Sequence, residues 1–231
     1  MKLLLVASAP MEFPGILARS EQPRPAALPV DWARSARLGG HEILLVANGA
    51  GAERAAAAAR AALETFPADV VVSTGFCGAL APELAVADVV VAASVAASGR
   101  NYPARPVTGV AAHHTGVVCS IDHVAGTAAE KRRLRASGAI AVEMEAAGVA
   151  GFAESRGLPF HCVRAVTDLA AETMANDFNA ALRSDGHFDT IVILRSTLLN
   201  PWARLPELFR LRRRCSRAAH ALGVFFADSR F

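Results

Sequence analysis

The sequence has few cysteines and no pattern of metal ligands. Its four cysteines, Cys77, Cys119, Cys162 and Cys215, lie far apart, and no two have the spacing of a zinc site or a thiol–disulfide enzyme. The seven histidines are not spaced as metal ligands either. We therefore predict no metal site, and we expect a cytoplasmic protein with reduced, buried thiols.

Long apolar runs and a large net charge are also missing. No uncharged apolar stretch reaches the ~18 residues of a membrane-spanning helix. The short apolar run at the N-terminus is followed at once by Pro10, Glu12 and Pro14, which favours a buried strand over a signal peptide. A formal net charge of +3 does not indicate nucleic-acid binding. The chain is 53% hydrophobic, which suits one core-rich domain spanning 1–231.

Short apolar runs alternate with helical stretches along the chain. This alternation predicts an α/β fold in three layers, α/β/α, around a central mixed sheet. Residues 18–41 and 97–115 are expected to be irregular, and 200–231 to form a basic amphipathic helix appended to the domain. Strands are predicted at 2–7, 43–47, 70–75, 86–94, 116–121, 139–142 and 160–166, and helices at 52–65, 127–136, 143–156 and most of 169–198.

Four acidic residues, Glu12, Glu143, Glu145 and Asp168, follow predicted strands. The carboxyl ends of strands are where α/β enzymes usually place their chemistry. Structural explanations are also open, because Asp168 can cap a helix, Glu143 and Glu145 suit a first helical turn, and Glu12 can be solvated. Residues i and i+2 do not share a helical face, so we expect one of Glu143 and Glu145 to point inward.

Asp168 has a catalytic interpretation as well. Desolvation disfavours the charged form of a partly buried carboxyl, so such a group can hold a proton near neutral pH and act as a general acid.

Two glycine-containing turns follow predicted strands. Asn48-Gly49-Ala50-Gly51 is similar to part of the dinucleotide fingerprint, but Arg54 occupies the third glycine position and no acidic residue ends the next strand. In the segment 73–78, Gly75 and Gly78 either let the backbone approach a ligand or only form a tight strand exit.

Taken together, these segments resemble the purine nucleoside phosphorylase superfamily, and most of all its methylthioadenosine/S-adenosylhomocysteine nucleosidases. The family's Ser/Asn-Thr-Gly-x-x-Gly-Gly-Leu is similar to residues 73–80, and its Val-Gly-Asp-Ile/Val-Val-Val to 86–91. Its Val-Glu-Met-Glu-Ala matches 142–146, and its Val-Arg-Ala-Ile-Ser-Asp is similar to 163–168. The order and spacing also agree over roughly residues 1–185.

The resemblance implies a nucleosidase on a nucleoside phosphorylase-like fold that cleaves the N-glycosidic bond of an adenine-type purine nucleoside with water. Positive charge then builds on the sugar and negative charge on the base, and carboxylates and an acid stabilise them without a metal or an organic cofactor. By matching position, Asp168 protonates the purine at N7 and Glu12 activates the water. Glu145 holds the ribose hydroxyls, and Met144 packs beneath the sugar. Further substrate contacts are expected from Glu143, Arg164, Phe76, Cys77, Gly78, Val124 and Ala125, the last through its backbone.

Two other functions stay open. A phosphorylase needs an anion site, and the loop 8–12 offers neither glycine nor arginine for one, although Arg54 could contribute. The glutamate at position 12 would also repel phosphate. The second alternative is a non-catalytic nucleoside-binding protein on the same fold, because a fold does not determine a function.

The sequence also departs from the family pattern. Phe76 replaces a small residue, and Val124 occupies the position of an aromatic ring that normally stacks on the base. Residues 97–115 do not match the family's contacts to the 5′ side of the substrate, so methylthio, homocysteine, futalosine-type and hopanoid-type nucleosides all remain open. The family implies a homo-oligomer, with a dimer expected for a nucleosidase. The segment 201–226 suits either a membrane surface or packing on the domain or a dimer partner.

Overall fold

The computed structural model describes residues 1–109 and 111–231. Within these residues the strands are β1 (Lys2–Ala7), β2 (Glu21–Pro25), β3 (Trp32–Leu38), β4 (His41–Ala47), β5 (Val70–Ala79), β6 (Val89–Ala97), β7 (Arg100–Pro103), β8 (Thr108–Gly109), β9 (His114–Ser120), β10 (Ala139–Glu143), β11 (Phe160–Asp168) and β12 (Ser229–Arg230). The helices are α1 (Pro14–Leu17), α2 (Ala52–Thr65), α3 (Ala128–Arg135), α4 (Ala146–Ser155), α5 (Phe178–Ala181), α6 (Thr190–Leu199) and α7 (Pro201–Ala227), and a 3-10 turn covers Pro10–Glu12.

Most of the strands form one large mixed sheet. Its order is β10-β9-β6-β11-β5-β1-β4-β3-β2, with β7 paired to β6. Strand β11 runs parallel to β5 and antiparallel to β6, and β10 runs parallel to β9 and antiparallel to β5. Because β10 pairs with both β9 and β5, the sheet curls there and brings the ends of β5, β10 and β11 together.

The sheet is covered by helices on both faces, which confirms the three-layer prediction. Along β1, Leu4 and Val6 pack into the cluster that holds α2 and α4, whereas Leu3 and Leu5 pack into the cluster that holds α1 and α7. This is the alternation that a strand with two buried faces requires. The fully buried residues of helix α2 are all alanines, and their small side chains allow the close approach to the sheet.

Some predictions of local structure are wrong. Residues 18–41 are not irregular, because β2 and β3 form a hairpin there that pairs with β4. Every residue of β2 is exposed, and prolines are tolerated on such an edge strand. Residues 97–115 hold β7, β8 and the start of β9 rather than a plain loop, and residue 110 in that segment lies outside the described residues.

Two helix predictions are also inaccurate. The helix expected at 143–156 begins only at Ala146, since Glu143 still belongs to β10. Of the stretch 169–198, only the short α5 and α6 are helical. Helix α6 begins after Asp189, whose Oδ1 accepts a hydrogen bond of 2.8 Å from the amide of Ile191, as is typical of a helix N-cap.

Helix α7 has two different halves. In the second half, Ala218, Leu222, Phe225 and Phe226 are buried in the core against the sheet. The first half instead exposes several apolar side chains, with Trp202 91% exposed. The prediction of one appended helix over 200–231 does not distinguish these halves. In the part of the chain that the structure describes, no helix combines the length and the apolar character needed to cross a membrane.

Candidate active site

A cavity of about 460 Å³ lies where β1, β5, β10 and β11 end. The four acidic residues that follow predicted strands, Glu12, Glu143, Glu145 and Asp168, all line it. They are brought together because the parallel strands β1, β5 and β11 end at one edge of the sheet, and β10 reaches the same place through its pairing with β5.

Glu12 is buried, and its carboxylate is held by four hydrogen bonds. Its Oε2 accepts from the amide and hydroxyl of Ser8 at 2.8 and 2.9 Å and from the amide of Ala9 at 2.9 Å. Its Oε1 accepts from the amide of Phe76 at 2.8 Å. A Cβ at Gly75 would lie 2.3 Å from Oε1, so glycine is required there. Glu12 is therefore a fixed group of the cavity and not a solvated loop residue.

Glu143 and Glu145 both point inward, so the expectation for a helical turn is wrong. The physical reason is that Glu143 ends strand β10 and Glu145 precedes the helix, so the chain bends between them and the spacing rule for residues within one helix does not apply. The Glu143 Oε2 accepts from the amides of Glu145 and Ala146 at 2.9 and 2.8 Å. Its Oε1 is buried and has no hydrogen-bond partner among the described residues, so it is available to a bound ligand.

Arg164 lies beneath these two carboxylates and is fully buried. Its guanidinium forms an ion pair with Glu143 and lies 3.5 Å from Oε2 of Glu145. It also donates to the carbonyl of Thr74 at 2.9 Å and to the hydroxyl of Ser73 at 2.6 Å. Arg164 therefore ties the two acids to β5. Unlike the other predicted site residues, it lies behind the cavity wall rather than on its surface.

The buried carboxyl of Glu145 has a strongly shifted pKa. Burial raises its pKa to about 8, the charge of Glu143 acts in the same direction, and the charge of Arg164 acts against both. Near neutral pH Glu145 can therefore carry a proton. A carboxyl in that state can donate one hydrogen bond and accept others, which suits a pair of neighbouring hydroxyl groups.

This shift predicts a pH-dependent stability. Between the ordinary pKa of 4.5 and about 8, folded Glu145 holds a proton that the unfolded chain releases, so the free energy of unfolding should fall as the pH rises across that window. Chemical denaturation of the wild type and of Glu145→Gln, from about pH 5 to about pH 9, measures this contribution. The variant should show a shallower decline, whereas the exposed control Glu83→Gln should keep the wild-type slope. Equal slopes in the wild type and Glu145→Gln would contradict the assignment.

Asp168 is paired with a lysine that no sequence pattern singles out. Lys131, on α3, is fully buried, and its Nζ donates to Oδ2 of Asp168 at 2.5 Å and to the carbonyl of Leu169 at 2.8 Å. The hydroxyl of Thr167 lies 3.0 Å from the other oxygen, Oδ1. A Cβ at Gly78 would come within 2.8 Å of Oδ2, so this glycine leaves room for the carboxylate. Asp168 is fixed by these contacts rather than by capping a helix.

The ammonium of Lys131 changes the electrostatics expected for Asp168. The positive charge lies directly against Oδ2 of Asp168, so any role of Asp168 toward a ligand has to include Lys131.

Comparisons with known proteins decide the family. The sequence model described as the Phosphorylase superfamily matches residues 33–109 and 98–190, which together make up more than half of the chain. The chain belongs to the phosphorylase superfamily. This agrees with the resemblance carried by residues 73–80, 142–146 and 163–168.

Among members of the superfamily, the chain is similar to 5′-methylthioadenosine/S-adenosylhomocysteine nucleosidases. The one from Staphylococcus saprophyticus is 29% identical over 175 residues, covering 63% of this chain and 77% of that protein. The one from Anoxybacillus flavithermus is 28% identical over 197 residues, covering 72% and 85%. The solved nucleosidase from S. pneumoniae, with a transition-state inhibitor, shares the fold with a TM-score of 0.73 at 19% identity, covering 99% of both chains.

Most of the predicted binding residues lie on the cavity surface. Their roles toward a ligand stay predictions. Val124 is held by Asn179, which accepts from its amide at 2.7 Å and donates to its carbonyl at 2.9 Å. Burial raises the pKa of the Cys77 thiol, which therefore stays a neutral wall residue. The predicted residues on the surface are Glu12, Phe76, Cys77, Gly78, Val124, Ala125, Glu143, Met144, Glu145 and Asp168.

The far side of the cavity is not predictable from the sequence. It is formed by side chains between residues 174 and 215, most of them beyond residue 185, where the resemblance ends, and it is almost wholly apolar. Helical spacing is evident at Leu205, Leu208, Phe209 and Leu211, but nothing in the sequence indicates which side of this helix faces a ligand. The residues of this wall are Met174, Phe178, Phe188, Ile193, Leu208, Leu211, Arg212 and Cys215.

Proposed function

We propose that this member of the phosphorylase superfamily is a nucleosidase, which hydrolyses the N-glycosidic bond of an adenine-type purine nucleoside and releases the base. The observation that carries the proposal is the convergence of Glu12, Glu145 and Asp168 on one cavity of nucleoside size. The similarity to methylthioadenosine/S-adenosylhomocysteine nucleosidases supports the same reaction.

The base is proposed to lie between Asp168 and the loop that holds Val124 and Ala125. Cleavage pushes negative charge onto the purine, and a proton supplied at N7 by the Lys131–Asp168 pair makes it a neutral leaving group. Val124 and Phe76 offer apolar surface to the ring. Asn179 fixes both backbone groups of Val124, which leaves the backbone of Ala125 as the proposed contact to the purine edge.

The sugar is proposed to lie over Met144 with its hydroxyls at Glu145. Positive charge develops on the ribose as the bond breaks, and the carboxylate of Glu143 lies where it can stabilise that charge. The open Oε1 of Glu143 is a second acceptor at this position. Arg164 is proposed to act as a positioning residue, because it holds both acids without reaching the cavity surface.

Water fits the proposed nucleophile position better than phosphate does. Glu12, which is buried and fixed by four donors, places a negative charge where an attacking phosphate would have to bind. Arg54, which could have contributed to an anion site, instead donates to the carbonyl of Asn48 at 2.5 Å and pairs with Asp31 at 3.5 Å. Of the described arginines, Arg212 alone lines the cavity.

The apolar far wall favours an uncharged 5′ substituent. A methylthio group would lie against side chains such as Met174, Ile193 and Leu208, whereas the zwitterionic end of homocysteine would be desolvated there without a matching set of partners.

We also propose that the protein is a homo-oligomer, as the family resemblance implies, and light scattering on the purified protein measures this.

Adenine release from defined nucleosides tests the function. Chromatography of the released base, with and without inorganic phosphate, compares five substrates: methylthioadenosine, S-adenosylhomocysteine, adenosine, inosine and futalosine. We expect release from adenine nucleosides without phosphate, and free ribose rather than ribose 1-phosphate as the other product. Strictly phosphate-dependent release would establish a phosphorylase instead. Binding without any cleavage would indicate a nucleoside-binding protein.

Glu12→Gln should lower kcat by roughly 10²–10⁴-fold, because an amide cannot accept the proton of the attacking water. The substitution also replaces one carboxylate oxygen of Glu12 by an NH₂ group, which cannot accept the hydrogen bonds that Ser8, Ala9 and Phe76 donate. A lower Tm is therefore expected, and activity is compared at temperatures where circular dichroism shows a folded protein. Glu83→Gln, at an exposed position, is the matched control and should keep full activity. Unchanged kcat in folded Glu12→Gln would remove Glu12 from the reaction.

A further inference from the structure

The α6–α7 hairpin, here residues 190–217, exposes eight large apolar side chains. Leu199 is 84% and Trp202 91% exposed, and both lie at the turn between the two helices. Monomeric proteins rarely leave such a contiguous patch in water unless it binds something. The exposed apolar side chains of the hairpin are Ile191, Val192, Leu194, Leu198, Leu199, Trp202, Leu205 and Phe209.

These side chains follow the helical period. Trp202, Leu205 and Phe209 are spaced i, i+3, i+7 and lie on one face of α7, over about 10 Å of helix. Ile191, Leu194 and Leu198 have the same spacing on α6. The hairpin therefore presents an ordered apolar face that ends in the turn 198–202, rather than scattered apolar residues.

Positive charge surrounds this face. Between residues 190 and 217 the only acidic residue is Glu207, and it is buried. Its carboxylate accepts from the amides of Ala175 and Asn176, both at 2.8 Å. An apolar face with a rim of arginines and no exposed acid is complementary to a surface that has an apolar interior beneath a layer of negatively charged groups. The exposed arginines of the hairpin are Arg195, Arg210, Arg212, Arg213 and Arg217.

The hairpin is held firmly from its inner side. Arg214 donates twice to the carboxylate of Glu172, at 2.7 and 2.8 Å, and Glu207 is bonded to the same loop. Leu208 and Leu211 face the active-site cavity from this inner side. The exposed face is thus the outer side of a fixed element whose inner side is already occupied.

We infer that the α6–α7 hairpin docks on an anionic lipid bilayer. The turn 198–202 enters the boundary between headgroups and acyl chains, where a tryptophan side chain is favoured, and the arginines contact lipid phosphates. A second copy of this chain is a poorer occupant. A two-fold contact through this face would bring the same arginines together without an acidic partner.

Vesicle sedimentation of the full-length protein tests this inference. Phosphatidylcholine vesicles with and without phosphatidylglycerol are compared at low and high salt. Binding should require the anionic lipid and weaken with salt. Two double variants should each lower the partition constant at least about tenfold. One combines Leu199→Ser with Trp202→Ser, and the other combines Arg195→Glu with Arg213→Glu. The control for the apolar pair is Val224→Ser, and the control for the arginine pair is the double variant Arg24→Glu, Arg60→Glu. Both controls should bind like the wild type.

Tryptophan fluorescence provides a second measurement. Trp32 and Trp202 are the two tryptophans, so Trp202 is the sole reporter in Trp32→Phe. Its emission should shift to the blue when anionic vesicles are added, whereas Trp202→Phe should show no such shift. No binding and no shift at low salt would overturn the inference. A drop in solution mass in Leu199→Ser with Trp202→Ser would also overturn it, and would assign the face to a protein contact. Neither measurement uses a nucleoside, so the proposed function does not affect the result.

Discussion

Asp168→Asn is expected to lower kcat for adenine release by roughly 10²–10⁴-fold, which is the usual contribution of a general acid. An asparagine can still accept or donate a hydrogen bond at the purine, but it has no acidic proton to transfer to N7 as the bond breaks. KM should change less than kcat, because the proton transfer is an interaction of the transition state. Initial rates of base release over a range of substrate concentrations measure both constants.

The substitution also affects stability, and the two effects can be separated. Without the Asp168 carboxylate, the buried ammonium of Lys131 loses its partner, which costs roughly 3–5 kcal/mol of folding free energy in comparable buried pairs. Combining Asp168→Asn with Lys131→Met removes both charges and should recover much of the Tm. It should not recover kcat. Asp69→Asn, which is exposed and distant from the cavity, is the control and should change neither quantity.

The outcome of this set decides the role of Asp168. Wild-type kcat in folded Asp168→Asn would show that protonation of the base does not pass through this residue. Recovery of kcat in the double variant would show instead that Asp168 only neutralises Lys131.

The main elements of the fold are predictable from the sequence because their signals are local. The helix predicted at 52–65 is α2, which extends over Ala52–Thr65, since a run of alanines after a glycine has few alternatives to helix. Strands β1 and β4 each contain a continuous apolar run, residues 3–7 and 43–47, as buried parallel strands require. Strands β2 and β3 escape prediction because an exposed edge hairpin with prolines has the composition of a loop.

The candidate site is predictable only in part, for a related reason. Its acids lie at strand ends, and a resemblance carried by short motifs is enough to group them. The partner of Asp168 is 37 residues away, on a helix whose many charges predict a solvated surface. Nothing in that helix marks Lys131 as the one lysine that is buried. The far wall of the cavity is likewise unpredictable, because helical spacing shows that a helix has an apolar face but not what that face contacts.

Arg164→Met is expected to have the largest effect on stability of any substitution considered. Arg164 is 0% exposed, and its positive charge compensates the buried carboxyl groups of Glu143 and Glu145. The surrounding acids raise the pKa of its guanidinium, so the charge is permanent. Removing one partner of a buried pair costs roughly 3–5 kcal/mol, and here Glu143 loses its ion-pair partner while Glu145, Ser73 and Thr74 lose a buried hydrogen-bond donor. Since a domain has roughly 5–15 kcal/mol of stability in total, the variant should be close to unfolding at room temperature.

Denaturant titrations followed by circular dichroism measure this loss, with Arg60→Met as the exposed control, for which a change within about 0.5 kcal/mol is expected. Adding Glu143→Gln to Arg164→Met removes the carboxylate that has lost its ion-pair partner and should recover part of the stability. Arg164→Lys keeps the charge, but a single ammonium cannot reach Ser73, Thr74 and Glu143 at once, so partial stability with reduced kcat is expected. A stable, fully active Arg164→Met would mean that the carboxyl groups of the site need no buried cation, and that Arg164 does not link the strand exit of β5 to the sugar-binding acids.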